Sequence, residues 1–94
     1  ERIYVKLNDF TYVFEAKTLL SDFYKILKLD PEDFEDVAGE ADTVAGLLLE
    51  IKGEFPKLHE KLEFQQYLFQ VLEMAPRRIV KVSVSIGEAK SREN

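Results

Sequence analysis

Apolar and polar residues alternate with a period of two near both ends of the chain and with a helical period in its middle. Ile3, Val5 and Leu7 alternate with Tyr4 and Lys6, the period of a half-buried strand. Asn8-Asp9 supplies turn chemistry, and Tyr12-Val13-Phe14 is aromatic and β-branched, so the two runs read as a hairpin. From Leu20 the period changes. Leu20, Phe23, Tyr24 and Leu27 fall at i, i+3, i+4, i+7, which turns one stripe of a helix toward a core, and Ile26 widens it. Thr18 is expected to cap its start. Asp30-Pro31 is expected to end it, because the residue before proline is pushed out of the helical region. Lys25 and Lys28 suit the negative pole of its dipole.

Val44, Leu47, Leu48 and Ile51 form a second such set, with Asp42 or Thr43 as cap and Gly53 where the helix stops. Leu49 makes this helix apolar on more than one side. Gly46 inside it costs about 1 kcal/mol against Ala in an exposed helix, which close packing on a sheet would justify. Leu62 and Phe64 start a strand, Gln65-Gln66 is a turn, and Tyr67 to Met74 is a longer strand with Phe69 and Val71 on one face. Residues 75–78 connect it to the clearest strand: Val80, Val82, Val84 and Ile86 alternate with Lys81, Ser83 and Ser85, leaving one wet face. The order β-β-α-α-β-β-β predicts an α+β two-layer sandwich, a mainly antiparallel sheet of about five strands with two helices on one face. Residues 1–87 make one domain and 88–94 a disordered tail.

Composition narrows the function. A chain of 94 residues buries only about 60–65% of its unfolded surface, which leaves no room for both a large core and a deep enclosed site. The absence of Cys removes disulfides, Cys-ligated zinc and thiol nucleophiles. No apolar run approaches the roughly 20 residues that span a bilayer, and no signal-peptide pattern is present, so direct membrane insertion is not expected. The chain opens on Glu1 rather than Met, as expected of a piece of a longer protein. Net charge is −5, and seven of the eighteen acids lie in 30–42 with no Lys or Arg among them. The remainder, thirteen bases against eleven acids, is +2, so the acidity is local. This balance argues against nucleic acid as a partner.

The acidic segment lacks the spacing of an EF-hand, so it reads as a solvated loop pinned by Phe34 and Val37 rather than a cation site. Arg77 and Arg78 are two guanidinium forks at a hairpin, able to hold a phosphate or a partner's carboxylate. The plainer reading is that one pairs with Glu73 or another acid of this domain and the other is wet. His59 sits among polar residues with no orienting partner in sight and reads as exposed and inert. No serine stands in a nucleophile elbow, and the four glycines make neither a phosphate loop nor a dinucleotide fingerprint. No catalytic, cofactor-binding or metal-binding constellation emerges, so an enzyme is not expected. Interaction is the remaining role, with sheet edges and the wet face at Lys81, Ser83 and Ser85 as the places to add a partner.

Several segments resemble the CorC/HlyC transporter-associated domain. Tyr12 to Phe23 (YVFEAKTLLSDF) is similar to that family's opening, and Asp42 to Glu50 (DTVAGLLLE) to its most recognisable motif. Glu54-Phe55-Pro56 matches its helix exit; Phe69 to Glu73 and Arg77-Arg78-Ile79 with Val82 match its final hairpin. Gly39 to Asp42 resembles the gliding-motility-associated GldE-type variant. The resemblance implies a non-catalytic accessory domain on the cytoplasmic face of a bacterial membrane protein, following a transmembrane domain and a pair of CBS domains. The parents are haemolysin-like proteins or magnesium and cobalt efflux transporters. It implies contacts with the rest of the parent and leaves a homodimer open; together with the residue reading above, this makes Arg77, Arg78 and Lys81 the expected interaction residues. The fold is similar to the FAD-binding subdomain of PCMH-type oxidoreductases, so small-ligand or FAD-like sensing is the alternative reading. The family's Asp-Gly-Ser in the first turn is Asp9-Phe10-Thr11 here, which requires either a positive φ at Phe10 or another turn type. Its Gly-Asp/Glu before the third strand is His59-Glu60.

Overall fold

Five strands, β1 (Tyr4–Asn8), β2 (Thr11–Glu15), β3 (Lys61–Phe64), β4 (Tyr67–Ala75) and β5 (Arg78–Ile86), form one sheet in the order β1-β2-β5-β4-β3. Every neighbouring pair is antiparallel in this computed structural model, which describes residues 3–87. The tail expected at 88–94 lies outside the described residues. Between β2 and β3 the chain makes α1 (Leu20–Leu27), a 3-10 turn (Pro31–Phe34), α2 (Glu35–Ala38) and α3 (Val44–Lys52). The α+β sandwich is therefore as expected, with three short helices rather than two. The segment 30–42 is not a plain loop. Pro31 opens its 3-10 turn, and the Glu32 N–H donates to Asp30 Oδ1 at 3.0 Å.

The core is aromatic at its centre. Phe34 is fully buried, with the rings of Tyr24, Phe64 and Tyr67 at 5.2–5.3 Å and Phe23 at 6.4 Å. Phe23 meets Phe14 edge-on at 5.1 Å and reaches Phe69 at 6.4 Å. Val44, Leu47 and Leu48 of α3 are buried with Val71, Val82 and Val84 of the sheet.

Local signals were met in part. Thr43 accepts from the Gly46 N–H at 3.1 Å and caps α3, while Gly53 closes it at φ 88°. Thr18 does not cap α1. The Ncap is Leu19, without a side-chain bond, and Thr18 Oγ1 is buried without a hydrogen-bond partner. Tertiary main-chain bonds take over: Leu20 N–H donates to Asp42 O, Val44 N–H donates to Thr18 O, and Leu19 pairs with Thr43 as an antiparallel bridge. The end of α1 also departs from expectation. Lys28 in the left-handed region, not Pro31, terminates it, and Leu29 N–H donates back to Tyr24 O. At Gly46 the tightest approach is not to a strand: an added Cβ would lie 3.1 Å from the Ala41 Cβ, so the closest constraint comes from the segment entering α3.

The first strand inverts its expected phase. Tyr4 packs on the core, whereas Val5 and Leu7 are 48% and 60% exposed. Rings outcompete aliphatics for the inner face because Tyr4 stacks on Phe14 at 5.6 Å and tilts against Tyr12 at 6.1 Å. Phe10 keeps a negative φ. The turn changes type instead, with the Phe10 N–H donating to Asn8 Oδ1 at 2.8 Å and a register shift between Lys6 and Asn8.

Phe34→Ala is expected to cost about 3–5 kcal/mol in chemical denaturation, the range for a fully buried ring. A loss under about 1 kcal/mol would show that the 3-10 turn is peripheral to the core.

Candidate functional site

The sheet turns one face away from the helices. Register places Thr11, Val13 and Glu15 of β2 beside Ser85, Ser83 and Lys81 of β5, and Leu68, Gln70 and Glu73 of β4 on the other side. Their inward neighbours Phe14, Val82, Val84, Phe69 and Val71 are buried, so the strand period fixes this outer face. Thr11 and Ser85 hydroxyls lie 3.3 Å apart across β2 and β5.

Lys81 sits within this face, half-buried, and pairs with Glu73 at 3.8 Å. Among the described residues, the expected pairing of an arginine with an acid of the domain is not seen. The cross-strand register sets Glu73 opposite Lys81, whereas Arg78 stands opposite Ala75 at the end of the hairpin. Arg77 and Arg78 are both exposed, and neither has an ion pair among the described residues. The structure thus separates the three residues: Lys81 belongs to the sheet face, and the two arginines to the β4–β5 turn.

His59 is exposed at φ 69°. Its main chain does the work, its N–H donating to Val71 O at 2.8 Å and its O accepting from Gln70 Nε2 at 3.2 Å. The acids of 30–42 fan outward, and no group of three His, Cys, Asp or Glu suited to a metal ion occurs among the described residues. No helix there is long and apolar enough to cross a membrane.

Two features escaped the sequence reading. An open groove of about 560 Å³ runs along the outside of α1, lined by Ser21, Tyr24, Lys25, Lys28, Leu29 and Pro31. Burial raises the Tyr24 phenol above its ordinary value. Burial likewise raises Tyr67, with help from the negative charge of Asp33. The second feature is the ion pair of Lys52 and Glu60, which ties the end of α3 to the start of β3. Eight residues separate the partners, beyond any helical spacing that would reveal them.

A family model described as a transporter-associated domain, CorC/HlyC, matches residues 5–88. The chain belongs to the CorC/HlyC transporter-associated domain family. Hemolysin C of Brachyspira hyodysenteriae is 35% identical over 79 residues, covering 82% of this chain and 27% of its own length. The chain thus spans about a quarter of that curated relative. Among solved structures, the transporter-associated domain of a CBS-domain protein from Porphyromonas gingivalis superposes with a TM-score of 0.84 at 37% identity, covering 93% of this chain and all of that one. The associated region of a putative Mg2+ and Co2+ transporter (CorC) from Neisseria meningitidis MC58 shares the fold, with a TM-score of 0.77 at 20% identity over 90% of this chain and 99% of that one. In this CorC/HlyC domain, Asp42 to Glu50 form the capped entry and body of α3, and Arg77 and Arg78 lie where the β4–β5 turn enters β5.

The Lys52–Glu60 pair carries a pH signature. The Lys52 hydrogen bond, assisted by the Lys57 N–H, holds the Glu60 carboxyl below 4.5, and the same bond raises Lys52 above 10.5. The carboxyl's contribution is present above its unfolded value and is lost as pH falls through its lower folded value. The ammonium's contribution is present below its unfolded value and is lost as pH rises through its higher folded value. Lys52→Met is expected to lower Tm at neutral pH, with the deficit closing as pH falls below 4.5 in thermal denaturation. A deficit independent of pH would show the pair to be energetically silent.

Proposed function

We propose that the domain is a non-catalytic regulatory module on the cytoplasmic face of a CorC- or haemolysin-type membrane ion transporter, acting through contacts with the rest of that protein. The observation that carries this reading is the β4–β5 turn. Two exposed guanidinium groups stand there without an acidic partner among the described residues, although acids outnumber bases by 18 to 13. Arginine forks kept free in an acidic protein suit the carboxylates of another surface. The Porphyromonas neighbour comes from a CBS-domain protein, which supports a CBS pair as that surface. The Neisseria neighbour's transporter supports Mg2+ or Co2+ as the cargo. Titration of the domain against the parent's CBS pair by calorimetry tests the reading. Replacing Arg77 and Arg78 by Glu is expected to weaken binding about tenfold or more, equivalent to ~1.4 kcal/mol, with an unchanged circular dichroism spectrum. No measurable heat with the unaltered domain refutes it.

The groove along α1 favours a second reading, small-ligand sensing, since its size falls within the range of ligand sites. A flavin dinucleotide fits it poorly. The pyrophosphate needs converging N–H donors, and the groove lies at the carbonyl end of α1, around Lys28 and Leu29. Thermal-shift measurement against nucleotides, FAD and divalent cations separates the readings. A true ligand at 100 times its Kd stabilises by about 2.7 kcal/mol, and a flat panel retires the sensor.

A further inference from the structure

The two edges of the sheet are treated differently. Edge strand β3 is only four residues long, and its outward side chains are the exposed Lys61 and Glu63, the devices that blunt an edge against pairing. Edge strand β1 has the opposite character. Val5 and Leu7 lie on its outer side, 48% and 60% exposed, which is the pattern of an edge built to be covered.

Its main chain is also unpaired on that side among the described residues. The Glu15 N–H donates to Ile3 O at 2.9 Å, so Ile3 and Glu15 form a hydrogen-bonded pair. Such pairs alternate along an antiparallel ladder, so Val5 and Val13, the next but one, are also bonded. The N–H and C=O groups of Tyr4 and Lys6 therefore point away from β2, toward the open edge.

We propose that a second copy of this chain covers β1 by antiparallel edge-to-edge pairing about a two-fold axis at Val5, giving a continuous ten-stranded sheet. The register follows from charge and shape. An axis at Val5 sets Val5 against the other copy's Val5, Leu7 against Ile3, and Lys6 against Tyr4. The free groups of Tyr4 and Lys6 then bond each other twice over. Each ammonium faces a ring, as Lys6 already does within the chain, where it lies 6.0 Å from the Tyr12 centroid. An axis at Lys6 would set two ammonium groups directly opposite, with only Asp9, 3.8 Å from Lys6, to offset each. The aliphatic side chains of both copies fall on one face of the joined sheet, because the axis is perpendicular to it.

The chain's lack of cysteine makes the register directly testable. With the axis at Val5, the two Val5 Cα atoms form a non-hydrogen-bonded pair about 4.5 Å apart, within disulfide reach. The two Leu7 Cα atoms are offset by four residues, roughly 14 Å, and out of reach. Val5→Cys is expected to form a disulfide-linked dimer under mild oxidation, and Leu7→Cys to lag by at least about tenfold in rate. In sedimentation velocity, the unaltered chain is expected to show a dimer that Val5→Lys dissociates without loss of far-ultraviolet dichroism. A monomer at all concentrations up to about 1 mM overturns the proposal. So does a dimer in which Val5→Cys stays unlinked or Leu7→Cys links as fast. Val5 and Leu7 lie on the edge strand, whereas Arg77 and Arg78 lie on the β4–β5 turn, so a monomeric result leaves the transporter-contact reading standing.

Discussion

The structure depends on covering one face of a five-stranded sheet with helices of only four to nine residues. Helices that short are unstable alone and hold their form only through what they bury. The ring of Phe34 meets this constraint. It stands on the 3-10 turn between α1 and α2 and touches rings from α1, β3 and β4 at once. The acidic residues around it stay wet while the aromatic one holds the segment down. The local charge of 30–42 is thus compatible with a fixed path, because charge and burial are divided residue by residue.

A second constraint joins the helical layer to itself. The start of α1 has no side-chain cap, and the segment before α3 supplies the missing acceptor at Asp42 O. The entry to α3 is held in return by Thr18 O and Ala16 O. The two helices therefore begin from one shared knot of main-chain bonds. The segment from Asp42 to Glu50 coincides with one half of that knot. Its role in this chain is architectural.

Much of this was legible from period alone. β4 and β5 were readable because Phe69, Val71, Val82 and Val84 carry the same phase and all are buried. α1 and α3 were readable because their stripes are unbroken, whereas the 3-10 turn and α2, only four residues each, are too short to show a period. The reading failed at β1, where both faces carry apolar residues and period cannot say which side wins. Tyr4 wins because rings of the neighbouring strand await it. It failed at Thr18 because a cap is a local signal and the bond that replaced it is a tertiary one. It failed at Glu73 because cross-strand register, not sequence distance, decides which base an acid meets. The two arginines were visible as residues, yet their lack of an ion pair among the described residues was not.

The position of β5 has a further bearing on how the chain comes into being. The last of the described strands to be made is the middle strand of the sheet, flanked by β2 and β4. Thr11 meets Ser85 across it, so the first hairpin has no place to dock until almost the whole domain has emerged. Assembly on the ribosome must therefore wait for the end of the domain, and such long-range closure is slow compared with local contacts. Until then, the young chain exposes Phe14 and Phe69 on strands that have no shared neighbour.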